Sequence, residues 1–226
     1  MAAAPIHLRP TAPLAPRVLL PGDPGRALLL AQALLEEPKM FNHHRGLWGY
    51  TGAAADGEPL TIQATGMGGP SAAIVVHELV DLGARRLIRV GTCGALVPEL
   101  RLGQLVVATE ALAADGTSRA LGAGERVAPD PDLLAALRAA APDAAAGPVV
   151  TADVFYGEPP AADGALAIEM EAAAVLQLGR TLGVATACVL GVSDELTSGR
   201  ERLDDEGIAA LGEAVGRAGA AALGAG

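Results

Sequence analysis

Short apolar segments bounded by glycine, proline or polar residues alternate with longer segments of helical periodicity along the chain. This pattern predicts strands and helices in alternation. The predicted strands are 17–22, 86–92, 103–112, 147–155, 166–168 and 185–195, with a hairpin over 47–66 that turns at Asp56-Gly57. The predicted helices are 26–37, 70–83, 130–141 and about 205–223, with a further alanine-rich helix after Glu171.

Alternation of strand and helix is typical of a mixed, largely parallel sheet with helices packed on its faces. The 226 residues contain no internal repeat and no convincing interdomain linker. The sequence therefore predicts an α/β fold with a central mixed β-sheet flanked by helices, built as one domain over residues 1–226.

Hydrophobic residues make up 51% of the chain and charged residues 19%, which predicts a substantial core. The net charge of −10 argues against a nucleic-acid-binding surface, because phosphate backbones require clustered Lys and Arg. No signal peptide and no membrane-spanning segment are evident, and Cys93 and Cys188 are expected to be buried free thiols. These features predict a soluble cytoplasmic protein that binds neither nucleic acid nor membrane.

Three arginines stand beside glycines, in turns or at the end of a predicted strand. Arg26 follows the turn Gly22-Asp23-Pro24-Gly25, Arg45 lies in a turn-like segment, and Arg89 interrupts an apolar strand two residues before Gly91. A buried arginine requires an anion, which is either a structural carboxylate or a bound phosphate. Three such arginines in an acidic protein favour an anion pocket, although a permanent salt-bridge network would explain them too.

Carboxylates stand at the ends of two other predicted strands. Glu169 and Glu171 occur where strand meets helix, and residues two apart on a strand share a face. Glu171 is suited to accept hydrogen bonds from a sugar diol, or else to favour the first turn of a helix. Asp194 ends the most apolar strand, where a carboxylate can retain a proton and act as an acid. The four histidines lack metal-ligand spacing, so no metal site is predicted.

Seven motifs in register extend this interpretation: VLLPGDPGR, NHHRGLWGYTG, TGMGGPSAAI, IRVGTCGAL, TADVFY, IEMEAAAV and GVSDE. Together they resemble the nucleoside phosphorylase family, whose members include bacterial purine nucleoside phosphorylase and uridine phosphorylase. The resemblance spans nearly the whole chain, from His7 to Asp194.

The resemblance implies a role for each group at the predicted sheet edge. Inorganic phosphate would be bound by Gly22, Arg26, Arg89, Thr92 and, from a neighbouring subunit, Arg45. The ribose would be bound by Met67, Met170, Glu171 and, from the neighbour, His7. The base would stack on Phe155, with Ser193 and Asp194 beside it. A homo-oligomer follows from this sharing, expected to be a hexamer built as a trimer of dimers.

The implied activity is that of a pentosyltransferase in purine salvage. Phosphate, the co-substrate and the only small molecule required besides the nucleoside, would cleave a purine nucleoside to the free base and ribose or deoxyribose 1-phosphate. Asp194 would protonate the departing purine, helped by a downstream arginine. Arg202 is the best match for that arginine, with Arg200 next to it.

Three other functions stay open at this point. Uridine-cleaving relatives carry a Gln and an Arg after the TADVFY-type strand, and the short loop GEPPAADG has neither, so purines are favoured. A nucleoside hydrolase similar to methylthioadenosine nucleosidase would use water and would not need three arginines. A non-catalytic nucleoside-binding relative is disfavoured by the presence of Glu171 and Asp194.

Overall fold

The computed structural model describes residues 5–197 and 201–225 of the chain. Its strands are β1 (Arg17–Leu20), β2 (Glu36–Asn42), β3 (Gly49–Ala53), β4 (Pro59–Gln63), β5 (Arg86–Ala95), β6 (Leu105–Ala113), β7 (Arg126–Val127), β8 (Ala145–Thr151), β9 (Ala167–Glu169) and β10 (Ala185–Glu195). Its helices are α1 (Pro24–Leu34), α2 (Gly69–Leu82), α3 (Gly116–Ala120), α4 (Pro131–Ala140), α5 (Ala172–Leu182) and α6 (Asp205–Gly224), with a short 3₁₀ turn at His44–Gly46.

Aspartates at the helix starts explain where three of these helices begin. The Asp23 carboxylate accepts from the backbone N–H of Arg26 at 2.6 Å and starts α1. Asp130 does the same for Leu133 at 3.0 Å in α4, and Asp204 caps the first turn of α6. Such caps satisfy N–H groups that the first turn leaves without a partner. The helices therefore begin close to their predicted positions.

All the described strands belong to one sheet. Five of them, in the order β5, β10, β6, β8 and β9, close into a ring because β9 pairs again with β5. From β5 the sheet continues outward through β1, β4, β3 and β2. The predicted α/β fold with a mixed sheet is confirmed, although antiparallel pairs are as prominent as parallel ones. The extension of the domain over all of 1–226 stays a prediction.

One edge of β5 changes its partner halfway along the strand. Residues 86–89 pair with β1, whereas Gly94 and Ala95 pair with β9. The opposite edge pairs with β10 along the whole strand. Residues 90–93 thus have no described strand beside them on the first edge, and the ends of β1 and β9 leave a gap there. This gap opens the sheet at the level where the predicted ligands would bind.

The helices cover the sheet in two groups. Helix α6 contacts both α1 and α4 and packs on β1, β5 and β10. Helix α1 packs on β3 and β4, and α4 on β6 and β10, over a core of Leu, Val, Ile and Ala side chains. Helices α2, α3 and α5 form the other group, with a second core between them and the sheet. Small side chains allow this close packing: a Cβ added at Gly179 of α5 would lie only 2.8 Å from the Thr186 Cβ of β10. No helix in the described part of the chain is long and apolar enough to cross a membrane.

Two boundary predictions are wrong. The helix predicted over 26–37 ends at Leu34, and residues 36–42 form the edge strand β2 instead. This strand contains Pro38 and has mostly exposed residues, so it lacks the alternating pattern by which strands are recognised. The strand predicted over 147–155 ends at Thr151, and the residues after it enter the loop that borders the gap in the sheet.

Candidate active site

A cavity of about 460 Å³ lies at the gap beside β5. Its volume falls in the range of small-molecule sites, about 300–1,000 Å³. Eleven of the residues predicted from the sequence, or from the resemblance, line it: Gly22, Arg26, Met67, Arg89, Thr92, Phe155, Met170, Glu171, Ser193, Asp194 and Arg202. The change of partner along β5 therefore gathers groups that are far apart in sequence around one space.

The centre of this site is a buried ion cluster formed by Arg89 with two carboxylates. Arg89 is 4% exposed, and its Nε donates to Glu169 Oε2 at 2.8 Å. Its Nη2 is ion-paired with Glu171 Oε2. Burial alone would lower the pKa of Arg89, but the charges of Glu171 and Glu169 outweigh it and raise that pKa. Arg89 is thus held as a permanent cation inside the sheet.

Gly91 makes room for this arginine. A Cβ at position 91 would lie 2.8 Å from the Arg89 guanidinium carbon, closer than side-chain carbons approach in folded proteins. Residues two apart on a strand share a face, so the guanidinium folds over the bare backbone of its own strand. The Arg-x-Gly order in β5 is a packing requirement of the ion cluster.

Glu169 holds two things in place: the Arg89 side chain and the backbone around the ion cluster. Its carboxylate accepts from the Thr151 hydroxyl at 2.5 Å and from the backbone N–H groups of Glu171 and Ala172 at 2.8 and 2.9 Å. These donors stand at the end of β8 and at the start of α5. A single carboxylate therefore fixes Arg89, the strand end and the helix start together.

Glu171 points back toward the loop before α2. Its Oε1 accepts from the backbone N–H of Gly68 at 2.5 Å, and Gly68 has a φ of 86°, which favours glycine. Burial raises the pKa of Glu171, and the Arg89 charge opposes that rise. Glu171 caps α5 from outside the strand, so the two glutamates do not share a strand face as predicted; both still reach Arg89.

Arg26 differs from Arg89 in having no carboxylate within ion-pair distance among the described residues. Its side chain lies along α6, where a Cβ at Gly212 would be 3.2 Å from Arg26 Nε. Burial lowers the pKa of Arg26, and the neighbouring positive charge of Arg89 lowers it further. An unpaired, largely desolvated guanidinium beside a second one favours a bound anion.

Asp194 lies at the far end of β10, next to an irregularity in its pairing with β5. Its Oδ2 accepts from the Ser193 hydroxyl at 2.6 Å, and its Oδ1 is 3.4 Å from Arg202 Nε. A β-bridge joins Asp194 and Arg202, so the backbone itself brings the chain after residue 201 back to the site. Bulges of this kind re-aim side chains at functional sites. Arg200 lies outside the described residues.

Aromatic side chains border the opposite wall. Phe155 and Tyr156 follow β8 and pack edge to face with their ring centroids 5.0 Å apart. Phe155 is 57% exposed and Tyr156 84% exposed, and Met67 is also largely exposed. Large apolar side chains in solvent beside a cavity are available to contact a flat ligand.

Two residues predicted from the resemblance do not line the cavity of this chain. His7 lies in the N-terminal segment, where its Nδ1 is 2.8 Å from Glu78 Oε1. Arg45 is exposed in the 3₁₀ turn with a φ of 59°. The expectation that both serve a neighbouring subunit stays a prediction.

The remaining reactive groups have structural explanations. Cys93 lines the cavity, but burial raises the pKa of its thiol, and burial likewise raises the pKa of the Cys188 thiol. Both cysteines are free and buried, as predicted. No cluster of His, Cys, Asp and Glu side chains with metal-binding geometry occurs within 5–197 and 201–225.

The sequence reasoning assigned no role to Gly68, Gly91, Tyr156 and Leu196, which shape or line this site. Gly91 had a usable signal, because it follows a buried arginine by two residues on a strand. The contribution of Leu196 depends on the turn after β10, which has no local signature.

The family follows from a comparison with known proteins. A family model described as "Phosphorylase superfamily" matches residues 16–225. The chain belongs to the phosphorylase superfamily. The match covers every element that lines the cavity, from the turn after β1 to the segment before α6.

Relatives of this chain are more than a third identical to it over the aligned residues. A protein of Geobacillus kaustophilus named "Purine nucleoside phosphorylase DeoD-type" is 39% identical over 208 residues, 87% of this chain and 88% of that protein. Proteins with the same name from Oceanobacillus iheyensis and Caldanaerobacter subterraneus subsp. tengcongensis are 39% and 36% identical, each over 85% of this chain and 88% of the relative. The resemblance inferred from the motifs is confirmed at the level of the family.

We expect Glu169→Ala to destabilise this superfamily member strongly, because Arg89 Nε, the Thr151 hydroxyl and the backbone N–H groups at the start of α5 would all lose their buried acceptor. Leaving a buried donor without an acceptor costs about 1–3 kcal/mol for each group. Urea-induced unfolding would measure the change in the free energy of unfolding.

Glu213→Ala is the matched control, since Glu213 forms an exposed ion pair with Arg217 on α6. Such surface pairs contribute about 0–1 kcal/mol. Equal losses in the two variants would show that the Arg89 cluster does not stabilise the fold.

Proposed function

We propose that this chain catalyses the phosphorolysis of purine nucleosides, as a pentosyltransferase of purine salvage. The observation that carries the proposal is the single cavity lined by an unpaired arginine, a carboxylate-held arginine, a buried glutamate and an aspartate beside exposed aromatic rings. The names of the relatives support the same activity.

Phosphate recognition falls to the residues that follow β1 and those on β5. Arg26 offers a guanidinium with no carboxylate at ion-pair distance within 5–197 and 201–225, and Arg89 retains N–H donors beyond the two that face Glu169 and Glu171. Thr92 and the backbone at Gly22 line the same part of the cavity. Paired guanidinium groups match the oxygens of a phosphate dianion. Arg45 of a neighbouring subunit completes this set in the proposal.

Glu171 is assigned to the ribose, with Met67 and Met170 against the sugar. Its carboxylate is buried and lines the same cavity as the residues assigned to phosphate and base, where a sugar diol can donate hydrogen bonds to it. His7 of the neighbouring subunit is assigned to the 5′-hydroxyl. Because His7 and Arg45 do not line their own cavity, the proposal includes a homo-oligomer, a trimer of dimers, in which sites are shared.

The base is assigned to Phe155, Ser193 and Asp194. A phosphate oxygen attacks the anomeric carbon as the bond from that carbon to the purine nitrogen breaks, and the purine accepts a proton at N7. Asp194 donates this proton, and Arg202, near its other oxygen, stabilises the carboxylate that results. Fixing both reactants removes part of the entropic barrier. The phosphate charge stabilises the oxocarbenium-like sugar.

Alternative activities have weaker support. A hydrolase has no use for the unpaired Arg26 beside Arg89. The loop over residues 157–164 offers no glutamine or arginine for a uracil edge. We further propose that the reaction needs no cofactor besides phosphate and that the enzyme acts in the cytoplasm.

The deciding experiment measures cleavage of inosine, adenosine and uridine, each with and without inorganic phosphate, by following the free base and ribose 1-phosphate. Phosphate-dependent release of hypoxanthine or adenine, with uridine a poor substrate, is the expected result. Release of base without phosphate would assign the protein to the hydrolases, and a preference for uridine would overturn the assignment of the base.

Arg26→Gln is expected to weaken phosphate use without weakening the fold. Losing a charge-assisted contact of about 1.5–3 kcal/mol would raise the KM for phosphate about tenfold or more. The free energy of unfolding should not fall, because the variant removes a desolvated cation that lacks a carboxylate partner.

Arg138→Gln, an exposed arginine on α4, is the matched control and should change neither quantity. An unaltered KM for phosphate in Arg26→Gln would remove Arg26 from the phosphate site.

Asp194→Asn is expected to impair adenosine more than inosine, because protonation matters most for the departure of the 6-amino base. General acid catalysis contributes about 10²–10⁴-fold, so kcat/KM for adenosine should fall by at least about a hundredfold. Steady-state kinetics with both nucleosides would measure the ratio, with the exposed Asp143→Asn as control. Equal losses for the two nucleosides would argue against a proton donor at position 194.

A further inference from the structure

A carboxylate on α2 holds the N-terminal segment that carries His7. Glu78 Oε2 accepts from the backbone N–H of Leu8 at 2.7 Å, and Glu78 Oε1 accepts from that of Ile6 at 3.0 Å. The backbone nitrogen of His7 lies 3.0 Å from both oxygens. Burial alone would raise the pKa of Glu78, but the hydrogen bonds from this segment outweigh it and lower that pKa. Glu78 is therefore an ionised acceptor for the backbone of three consecutive residues.

Glu78 also binds the imidazole of His7. The Nδ1 atom of His7 lies 2.8 Å from Glu78 Oε1, and the Glu78 side chain is only 12% exposed. An ionised carboxylate only accepts hydrogen bonds, so the hydrogen of this contact is on His7 Nδ1. The hydrogen bond made by one ring nitrogen sets the state of the other. Nε2 of a neutral His7 is consequently an acceptor, and it makes no hydrogen bond within 5–197 and 201–225.

We propose that Glu78 is a positioning residue for the nucleoside, which acts through His7 on the site of the neighbouring subunit. The inference rests on the proposed function, in which His7 contacts the 5′-hydroxyl of the ribose bound there. A hydroxyl donates to an imidazole only where the nitrogen that faces it carries no hydrogen. Glu78 meets this requirement, because it holds the ring hydrogen on Nδ1 and fixes the backbone from which the ring extends.

A second set of contacts holds the same segment. The ring Nδ1 of His44 donates to the backbone carbonyl of His7 at 2.9 Å, and Asn42 Oδ1 accepts from the backbone N–H of Arg9 at 2.9 Å. These contacts come from the end of β2 and the start of the 3₁₀ turn, and they do not involve α2. A substitution at Glu78 therefore leaves the segment attached, so the position of the His7 ring can be changed without releasing the chain around it.

The test compares a nucleoside with its 5′-deoxy analogue, which lacks the hydroxyl assigned to His7, in the presence of phosphate. Inosine or adenosine serves, whichever reacts faster. The wild-type protein should prefer the nucleoside about five- to tenfold in kcat/KM, which corresponds to one net hydrogen bond. In Glu78→Gln an amide NH₂ replaces one acceptor oxygen. We expect kcat/KM to fall about fivefold for the nucleoside and to stay within about twofold for the 5′-deoxy analogue.

Asp81→Asn is the matched control. Asp81 lies on the same helix and forms an ion pair with a histidine, His77, but the two side chains are 44% and 54% exposed. Exposed pairs contribute little. The same change from carboxylate to amide should therefore leave both kcat/KM values unaltered.

A spectroscopic measurement on the unaltered protein tests the inference even where Glu78→Gln does not fold. The chain has four histidines, so nitrogen-15 NMR of histidine-labelled protein can report which nitrogen of each ring carries the hydrogen. The variant His7→Gln assigns the His7 signals. We expect the hydrogen on Nδ1 and none on Nε2 at a pH where the ring is neutral. A neutral ring with its hydrogen on Nε2 would overturn the inference.

The kinetic outcomes separate the two proposals. If neither inosine nor adenosine reacts with phosphate, the proposed function fails and the inference fails with it. If one reacts, but Glu78→Gln impairs the nucleoside and its 5′-deoxy analogue equally or impairs neither, only the inference is overturned. A wild-type protein that does not distinguish the two compounds would also overturn it, because His7 would then have no hydroxyl to contact.

Discussion

The site depends on one buried ion cluster, the Arg89 guanidinium held between the carboxylates of Glu169 and Glu171. Removing three charges from water is expensive, and only close pairing with further hydrogen bonds offsets that expense. Glu169 supplies these bonds by accepting from Thr151 and from the first N–H groups around α5. The cluster therefore ties β5, β8, β9 and α5 together at the point where the sheet opens. A cavity in this place is compatible with a stable fold because ion pairs join the strands and the helix that surround it.

The same cluster explains the backbone around it. The ends of β1 and β9 separate along one edge of β5, which leaves the guanidinium beside an opening and not under a strand. Gly91 gives it space on its own strand, and Gly68 approaches closely enough to donate to Glu171. A Cβ at position 91 would collide with the Arg89 guanidinium, and a side chain at position 68 would strain the backbone at its φ of 86°. The glycines near the site thus allow charged groups to approach the backbone closely, in addition to allowing the chain to turn.

Sequence reasoning succeeded where a residue contradicted its surroundings. Arg89 in an apolar strand, Glu171 before an alanine-rich helix and Asp194 after a buried strand were each conspicuous, and all three line the cavity. It failed where the decisive property is not local. The edge strand β2 lacks the alternation of apolar and polar residues by which a strand is recognised in a sequence. Its pairing with β3 orders it despite Pro38. The closed ring and the change of partner along β5 depend on pairings between distant segments, which periodicity does not encode. His7 and Arg45 do not line the cavity of their own chain, and their assignment comes from the resemblance and not from a local pattern.

Charge in this protein has to be considered at the scale of the site and not of the chain. The sequence carries a net charge of −10, yet Arg26 and Arg89 lie side by side and Arg26 has no carboxylate within ion-pair distance among the described residues. Burial and mutual repulsion oppose the two cations, and the charges of Asp23 and Glu171 offset part of that cost at Arg26. Glu169 and Glu171 balance the charges of both arginines in number, but among the described residues they form ion pairs only with Arg89. In the proposed function phosphate binds beside Arg26, while the two glutamates hold Arg89 in position by ion pairs. One arginine is thereby held by carboxylates and the other is available to an anion, a division that net charge conceals.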